Sequence, residues 1–599
     1  MIRNATGKAL LACAMAVVPL GHAYAADTAD GAIPDTARVD VARSGTGIPV
    51  QLDATQRDGY RAVFASIRAQ KWLDAQIQLD SMKPGPLHAI AKAELLTAKG
   101  SPKADLDPLM KLLNEAPELP QATQILTMAK SRGAIDLPSL PETRRLTWLG
   151  SAPVRTRAKS IKSDLLAAEL AIRMQPFVKA DQGAEAQALL DATQGLTPEA
   201  QTEWEQKVSW IYYLQGDDAN ARTMAAKAAR GVGDWAVQGD WVNALAAWRQ
   251  HDCTAAESGF ETVAARASDI ELRAAGQYWA ARADMACGRP ERIEARLKSA
   301  SQYRETFYGL LARQTLGIRD TTPRTASYIA GDWQALGRRP NIRVAAALVE
   351  IGENNLADEV IKQQAKLGDP SEFGSLVRLT STLNLPGTLV WLAHNGPVGA
   401  AASIEARYPA PNWTPDGGWR VDRSLVYAHT LQESKFRTDV VSSAGAYGLM
   451  QVRPGAASDI ARKQGRSFDR SALTRPSTNI EVGQSYLEQL RDLPLTGGLL
   501  PKVIAAYNAG PLPVQIWNAQ SRDGGDPLLY IESIPYWETR GYVSTVLRNY
   551  WMYESQSGKT VSPSRVALSQ GMWPRFPGLP GASSVRLSAK APNVSFSAN

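Results

Sequence analysis

Glu433 is the side chain in this sequence best placed for proton transfer. The stretch Asp422 to Phe436 reads as a helix in which Val426, Tyr427, Ala428 and Leu431 put apolar groups on more than one side, as in a helix largely buried within a small domain. Glu433 shares a face with Val426 and Phe436. Desolvation there disfavours the charged carboxylate and raises its pKa, which lets the group carry a proton at neutral pH as a general acid. The competing reading is an ordinary surface pairing with Arg437, one turn on. Asp439 is the nearest other carboxyl in sequence but falls in a loop, while Glu481 and Glu538 could return to the site in space.

Other chemistries find less support. The histidines are His22, His88, His251, His394 and His429; none has metal-ligand spacing and no acidic calcium loop occurs, so neither a metal site nor a cofactor is expected. Cys253 and Cys287 remain once an export signal is removed. They read either as a disulfide across one helical hairpin, worth about 3 kcal/mol in the chain-entropy model, or as two buried thiols. The formal charge of +7, about +5 without Arg3 and Lys8, suits an anionic polymer. No dense basic stripe with interleaved aromatics points to nucleic acid.

Four segments extend the case around Glu433. They are Gln432-Glu433-Ser434-Lys435-Phe436, Gly445-Ala446-Tyr447-Gly448-Leu449-Met450-Gln451, Ala506-Tyr507-Asn508-Ala509-Gly510, and Ile534-Pro535-Tyr536-Trp537-Glu538-Thr539-Arg540-Gly541-Tyr542-Val543. In this order, over about 120 residues, they resemble the motifs of the soluble lytic transglycosylases of the bacterial cell wall. The resemblance is close over roughly residues 415 to 560. Tyr278-Trp279-Ala280-Ala281-Arg282-Ala283 and Thr306-Phe307-Tyr308-Gly309-Leu310-Leu311-Ala312 also look like the long, three-domain members.

The resemblance implies a lysozyme-like domain in which Glu433 protonates the oxygen between N-acetylmuramic acid and N-acetylglucosamine, then takes the proton from the muramic acid O6 hydroxyl. The product is a 1,6-anhydromuramic acid end and no water is consumed. Hydrolytic glycosidases generally need two carboxyl groups; here the sugar's N-acetyl oxygen would replace the second. Ser442 would contact the N-acetyl or glycosidic region, although Ser443 adjoins it. Met450 and Gln451 would line the groove, Met450 being equally readable as core. Gly445 and Gly448 would let the backbone approach the sugar. Tyr507 would aim its hydroxyl near the acid, with Asn508 organising the turn closed by Gly510. Glu538 would orient substrate or hold the site. Trp517, Tyr536, Trp537, Tyr542 and Trp551 read as sugar-stacking walls or core. The rival readings are a hydrolytic muramidase or chitinase on the same fold, and a noncatalytic peptidoglycan-binding scaffold.

These residues need a scaffold, and the rest of the chain supplies one. The expected fold is mainly α: a helical superhelix, ring-like or U-shaped by the resemblance, a linker helical domain and a lysozyme-like C-terminal domain. From about residue 55 to 360 Ala and Leu recur at helical spacing, broken at Pro84-Gly85, Gly100, Gly216, His251-Asp252 and Gly288-Arg289-Pro290. The last three breaks lie about 35 residues apart, the period of a tetratricopeptide-like solenoid. The expected divisions are a signal peptide 1–25, superhelix 26–360, linker 361–410, catalytic domain 411–570 after the Pro- and Gly-rich stretch from Tyr408 to Gly418, and a basic tail 571–599.

The start of the chain reads as an export signal, with Arg3 and Lys8, an apolar run from Ala9 to Leu20 and Ala23-Tyr24-Ala25 before the cut. Leu10-Leu11-Ala12-Cys13 has the look of a lipid box but sits too early for one. A monomer in the periplasm is expected, without stable membrane insertion, acting on peptidoglycan glycan strands with other cell-wall enzymes as possible partners.

Overall fold

The computed structural model describes residues 47–319, 327–401, 403–463, 465 and 467–588. The expected signal segment and residues 589–599 of the expected tail lie outside them. Helix follows helix, and the strands among the described residues are two short antiparallel pairs, Thr147–Trp148 with Asn395–Gly396 and Trp573–Pro574 with Ser584–Val585.

From Leu165–Lys179 to Phe307–Thr315 successive helices pack on one another as a solenoid. Its turns fall where the sequence breaks. Gly216, His251 and Gly288 take left-handed backbone with φ of 82°, 59° and 69°. After the first two, Asp217 and Asp252 restart the helix by accepting from the N–H groups of Asn220 and Ala255; after the third, Pro290 opens it. Cys253 begins the helix Cys253–Arg266 and Cys287 caps Ile270–Ala286, with Cα atoms 5.6 Å apart in a disulfide.

The helices between Ala54 and Ser131 do not simply continue this stack. Their Tyr60, Phe64, Leu112 and Ile125 share a core with Ile342, Leu348, Val360 and Leu379 from much later in the chain. A periodic pattern reports packing of neighbours and is silent about such a return. The helix Asn354–Leu367 runs through the division expected at 360/361, because nothing breaks it before Gly368 and Pro370.

A second core is continuous from Leu170 to Phe576, so the solenoid and the C-terminal part are joined by packing. At the seam Phe307 stacks on Trp551 with ring centroids 5.1 Å apart. Arg155 donates to both oxygens of Glu532 at 2.6 and 3.1 Å, the Tyr308 hydroxyl donates to the same carboxylate at 2.7 Å, and Arg282 pairs with Asp526 at 2.7 Å. Tyr308, Arg282 and Phe307 belong to the two upstream segments singled out in the sequence.

The described part of the expected tail is docked on the C-terminal domain. Trp573 is fully buried and donates from Nε1 to the Gly525 carbonyl at 2.7 Å, and the Phe576 N–H donates to the Gly498 carbonyl at 2.7 Å. The anchor is made by the buried Trp573 and Phe576 and not by the basic residues of the segment.

Candidate active site

The helix Arg423–Ser434 carries Glu433 near its C-terminal end. Its middle is enclosed as the apolar pattern requires, with Leu425, Val426, Tyr427 and Ala428 almost fully buried. Immediately after Ser434 the chain reverses through two left-handed residues, Lys435 at φ 53° and Phe436 at φ 62°. Such positions cost about 1–3 kcal/mol each for residues other than glycine. Burial of the Phe436 ring against Tyr427, 5.7 Å between centroids, holds the turn.

Glu433 is half-buried, and its Oε1 accepts a hydrogen bond of 2.6 Å from the Tyr542 hydroxyl. Desolvation pushes its carboxyl up to about 7; the Tyr542 bond opposes the rise and the charge of Glu538 adds to it. The Tyr542 oxygen also lies 2.9 Å from Nδ1 of His429, one helical turn before Glu433. His429 is fully enclosed, and burial holds its pKa down to about 3. Arg437 directs its Nε to the Ser434 carbonyl, so the surface pairing with Glu433 is not formed.

The other expected residues divide between the site and its supports. Tyr507 donates its hydroxyl to the Met450 carbonyl at 2.8 Å, not to Glu433, and lays its ring on His429 at 4.6 Å. Orientation of Glu433 by a tyrosine hydroxyl therefore comes from Tyr542. Met450 is fully buried, its N–H donating to Asn479 Oδ1 at 2.8 Å and its sulfur lying against Gly483, which makes it core and not a groove wall. Gln451, at φ 48°, donates its side-chain amide to the carbonyls of Gly448 and Val440, holding the loop. Ser442 shapes the same loop by accepting from the Ala446 N–H at 3.0 Å, and Gly445 closes its turn with an N–H to the Ser442 carbonyl.

Gly448 is needed for a protein contact. At φ 68°, a Cβ would come within 2.4 Å of Asn479 Nδ2 and 2.5 Å of the Leu473 carbonyl oxygen. Asn508 accepts from Thr539 at 2.6 Å, tying the helix Leu500–Ala509 to Trp537–Gln556. Gly510 follows at φ 85° and ψ 165°, a conformation essentially confined to glycine. Tyr536 is exposed and meets Trp517 edge-on at 5.2 Å, whereas Trp517 and Trp551 are core. Glu538 is exposed in the first turn of its helix. Glu481 does not join the site: it pairs with Arg420 at 2.8 Å and accepts from the Gly417 N–H.

Three supporting residues escaped the sequence reading: Tyr542 as hydrogen-bond donor, His429 and Asn479. His429 had a legible signal, since positions four apart share one helix face. Among the described residues no group of His, Cys, Asp and Glu is placed to hold a metal ion, and no helix is long and apolar enough to cross a membrane. A cavity of about 160 Å³ borders the site at Gln432, Glu538 and Tyr542 and reaches Glu271 and Arg548 at the seam. A cleft of about 820 Å³ lined by Tyr408, Trp419 and Lys559 lies by the N-terminal end of the helix Arg423–Ser434 and does not include Glu433.

A mainly helical solenoid joined by packing to a C-terminal domain, in which the half-buried Glu433 has its pKa raised toward neutrality, defines the class. Residues 415–529 match the family model of the transglycosylase SLT domain, so the chain carries a domain of that family. A soluble lytic murein transglycosylase of Salmonella typhimurium is 29% identical over 312 residues, covering 50% of this chain and 46% of that protein. One of Escherichia coli K12 is 38% identical over 133 residues, covering 22% of this chain and 20% of that protein. The matches thus span less than half the length of these curated relatives. In fold, the 70 kDa soluble lytic transglycosylase of Escherichia coli aligns with TM-score 0.51 at 18% identity, over 87% of this chain and 99% of that one. The lytic transglycosylase Slt of Pseudomonas aeruginosa, solved as an inactive Glu-to-Gln mutant, aligns with TM-score 0.51 at 19% identity, over 84% and 86%.

Proposed function

We propose that this chain is a periplasmic lytic transglycosylase that cleaves the β-1,4 bond between N-acetylmuramic acid and N-acetylglucosamine in peptidoglycan and leaves 1,6-anhydromuramic acid ends. The observation that carries the reading is the setting of Glu433: a half-buried carboxyl whose pKa desolvation raises to about 7, bonded through one oxygen to the Tyr542 hydroxyl.

A group poised near pH 7 can serve as acid and then as base. Protonated Glu433 gives its proton to the glycosidic oxygen as the C1–O bond breaks, and the electron pair stays with the departing N-acetylglucosamine O4. The N-acetyl oxygen of the muramic acid stabilises C1. The carboxylate then removes the O6 proton, and O6 closes on C1. Glu433 ends protonated, ready for the next bond, with no water consumed. Tyr542 keeps its donor on the carboxyl throughout, a preorganised arrangement that needs no reorientation as charge develops. Ser442 and the exposed edge at Tyr536 and Glu538 are the groups assigned to hold sugar, and the export signal read at residues 1–25 accounts for the periplasmic site.

Mass spectrometry of fragments released from purified peptidoglycan by the mature protein and by Glu433→Gln tests this. Anhydromuramic ends made only by the unmodified protein support it. Reducing muramic ends would replace it by hydrolysis, with Glu538 as the second carboxyl, and no release by either protein would favour a binding role.

A further inference from the structure

We propose that His429 is a positioning residue which, through the hydroxyl of Tyr542, fixes the oxygen of Glu433 that carries the transferable proton. The inference rests on the assignment of Glu433 as the acid.

A tyrosine hydroxyl has one hydrogen to give and lone pairs to accept with. That of Tyr542 stands between two partners, Glu433 Oε1 at 2.6 Å and His429 Nδ1 at 2.9 Å. Two hydrogen-bond directions are conceivable. In one, His429 Nδ1–H donates to Tyr542 and Tyr542 donates to Glu433 Oε1. In the other, Glu433 Oε1–H donates to Tyr542, Tyr542 donates to a bare Nδ1, and the imidazole carries its hydrogen on Nε2.

The surroundings of the ring select the first. Nε2 of His429 is buried without a hydrogen-bond partner among the described residues. A hydrogen placed there would be an orphaned N–H, which folded proteins rarely tolerate, whereas an unused acceptor is a smaller penalty. The ring packs on Tyr507, and burial keeps it neutral. The titratable groups around this chain of bonds are Glu433, Glu538, Tyr507 and Tyr542; Tyr507 is engaged with the Met450 carbonyl and offers His429 only its ring.

With the direction set, Oε1 always accepts from Tyr542, and the acid proton of Glu433 must reside on Oε2, which has no hydrogen bond among the described residues. The same oxygen receives the O6 proton later. His429 thereby prevents the catalytic proton from turning inward onto Tyr542, without touching substrate itself.

The chain has few histidines, so selective labelling with nitrogen-15 and assignment by loss of a signal in His429→Leu allow the tautomer to be read by NMR. A neutral ring protonated on Nδ1 from pH 5 to 8 is expected; protonation on Nε2 or an imidazolium would overturn the proposal, whatever the reaction proves to be. Kinetics on purified peptidoglycan supply the second arm. His429→Leu should lower kcat roughly threefold to tenfold, the loss of one buried hydrogen bond, leave KM unchanged and move the alkaline limb of the pH profile upward. His429→Asn, which returns an N–H near Nδ1, should restore both. The double variant His429→Leu with Tyr542→Phe should be no slower than Tyr542→Phe alone. Additive losses, or a His429→Leu variant with unchanged kcat and pH profile, would refute it. Absence of anhydro products from the unmodified protein would instead refute the assigned reaction and leave the NMR result to decide the bond direction.

Discussion

Replacing Glu433 with glutamine should stabilise the protein in a pH-dependent way while removing its activity. The carboxyl sits at about 7 in the fold against 4.5 when unperturbed. Below about pH 4.5 it is protonated whether the chain is folded or not, and the site costs nothing. As pH rises from 4.5 through 7 the unfolded chain releases this proton while the folded one keeps it, so the folded state binds more protons and stability falls. Above pH 7 the penalty is complete. At about 1.36 kcal/mol for each pH unit between the two values it amounts to about 3 kcal/mol. Glutamine carries no charge at any of these pH values and can still accept from Tyr542 through Oε1.

The assay is thermal unfolding of both proteins across pH 4.5 to 8.5. About 3 kcal/mol corresponds to about 3 °C if the whole chain melts as one unit, and to about 10 °C if the C-terminal domain melts alone, from the usual unfolding entropy per residue. The variant's advantage should be near zero at pH 4.5 and reach its plateau by pH 8. An advantage independent of pH, or a variant less stable at pH 8.5, would mean that Glu433 is not held protonated by burial, and the argument for its role as acid would fall with it.

Tyr542→Phe removes a hydrogen bond to a carboxylate, so activity on peptidoglycan should drop roughly tenfold to a hundredfold, and because that bond lowers the Glu433 pKa, the alkaline limb of the pH profile should move to higher pH. Replacing Cys253 and Cys287 with serine opens a link spanning 34 positions; the loss should be about 3 to 4 kcal/mol in denaturant unfolding, and dithiothreitol should reproduce it in the unmodified protein alone. Gly448→Ala meets both a left-handed φ and atoms of Asn479 and Leu473 at 2.4 and 2.5 Å, so it should cost about 2 to 5 kcal/mol from strain and overpacking together, seen as a lowered melting temperature with loss of activity. Glu532→Ala leaves Arg155 buried without its carboxylate and should destabilise by about 3 to 5 kcal/mol, with hydrogen exchange accelerated on both sides of the seam.

What could be read beforehand follows from the range over which each determinant acts. Helix breaks are local, so Gly216, His251 and Gly288 marked the solenoid turns correctly, and Cys253 and Cys287 stood at the matching ends of one hairpin. The raised pKa of Glu433 was legible locally too, as that of a carboxyl among apolar residues of one helix. Its partners are set by packing between helices: Tyr542 lies 109 positions away, and nothing in its spacing tells whether it stacks on sugar or donates to Glu433. The same ambiguity holds for Tyr507, whose hydroxyl donates to the Met450 carbonyl, and for Met450, whose N–H donates to Asn479 while its buried side chain lies against Gly483. The union of the first helices with those after residue 340 was equally hidden, since it depends on where the chain returns. The seam is an intermediate case. Phe307, Tyr308 and Arg282 drew notice as a sequence resemblance, yet the physical reason for those residue types became visible only when Trp551, Glu532 and Asp526 came opposite them. A buried Arg or Glu at such a seam requires its partner in place, so the solenoid does more than carry the SLT domain: it supplies Tyr308, and the segment just before it supplies Arg155, to Glu532, the last residue of the helix Pro527–Glu532 that precedes the helix bearing Glu538 and Tyr542. The geometry that holds Tyr542 on Glu433 is therefore tied, through that helix, to the solenoid behind it.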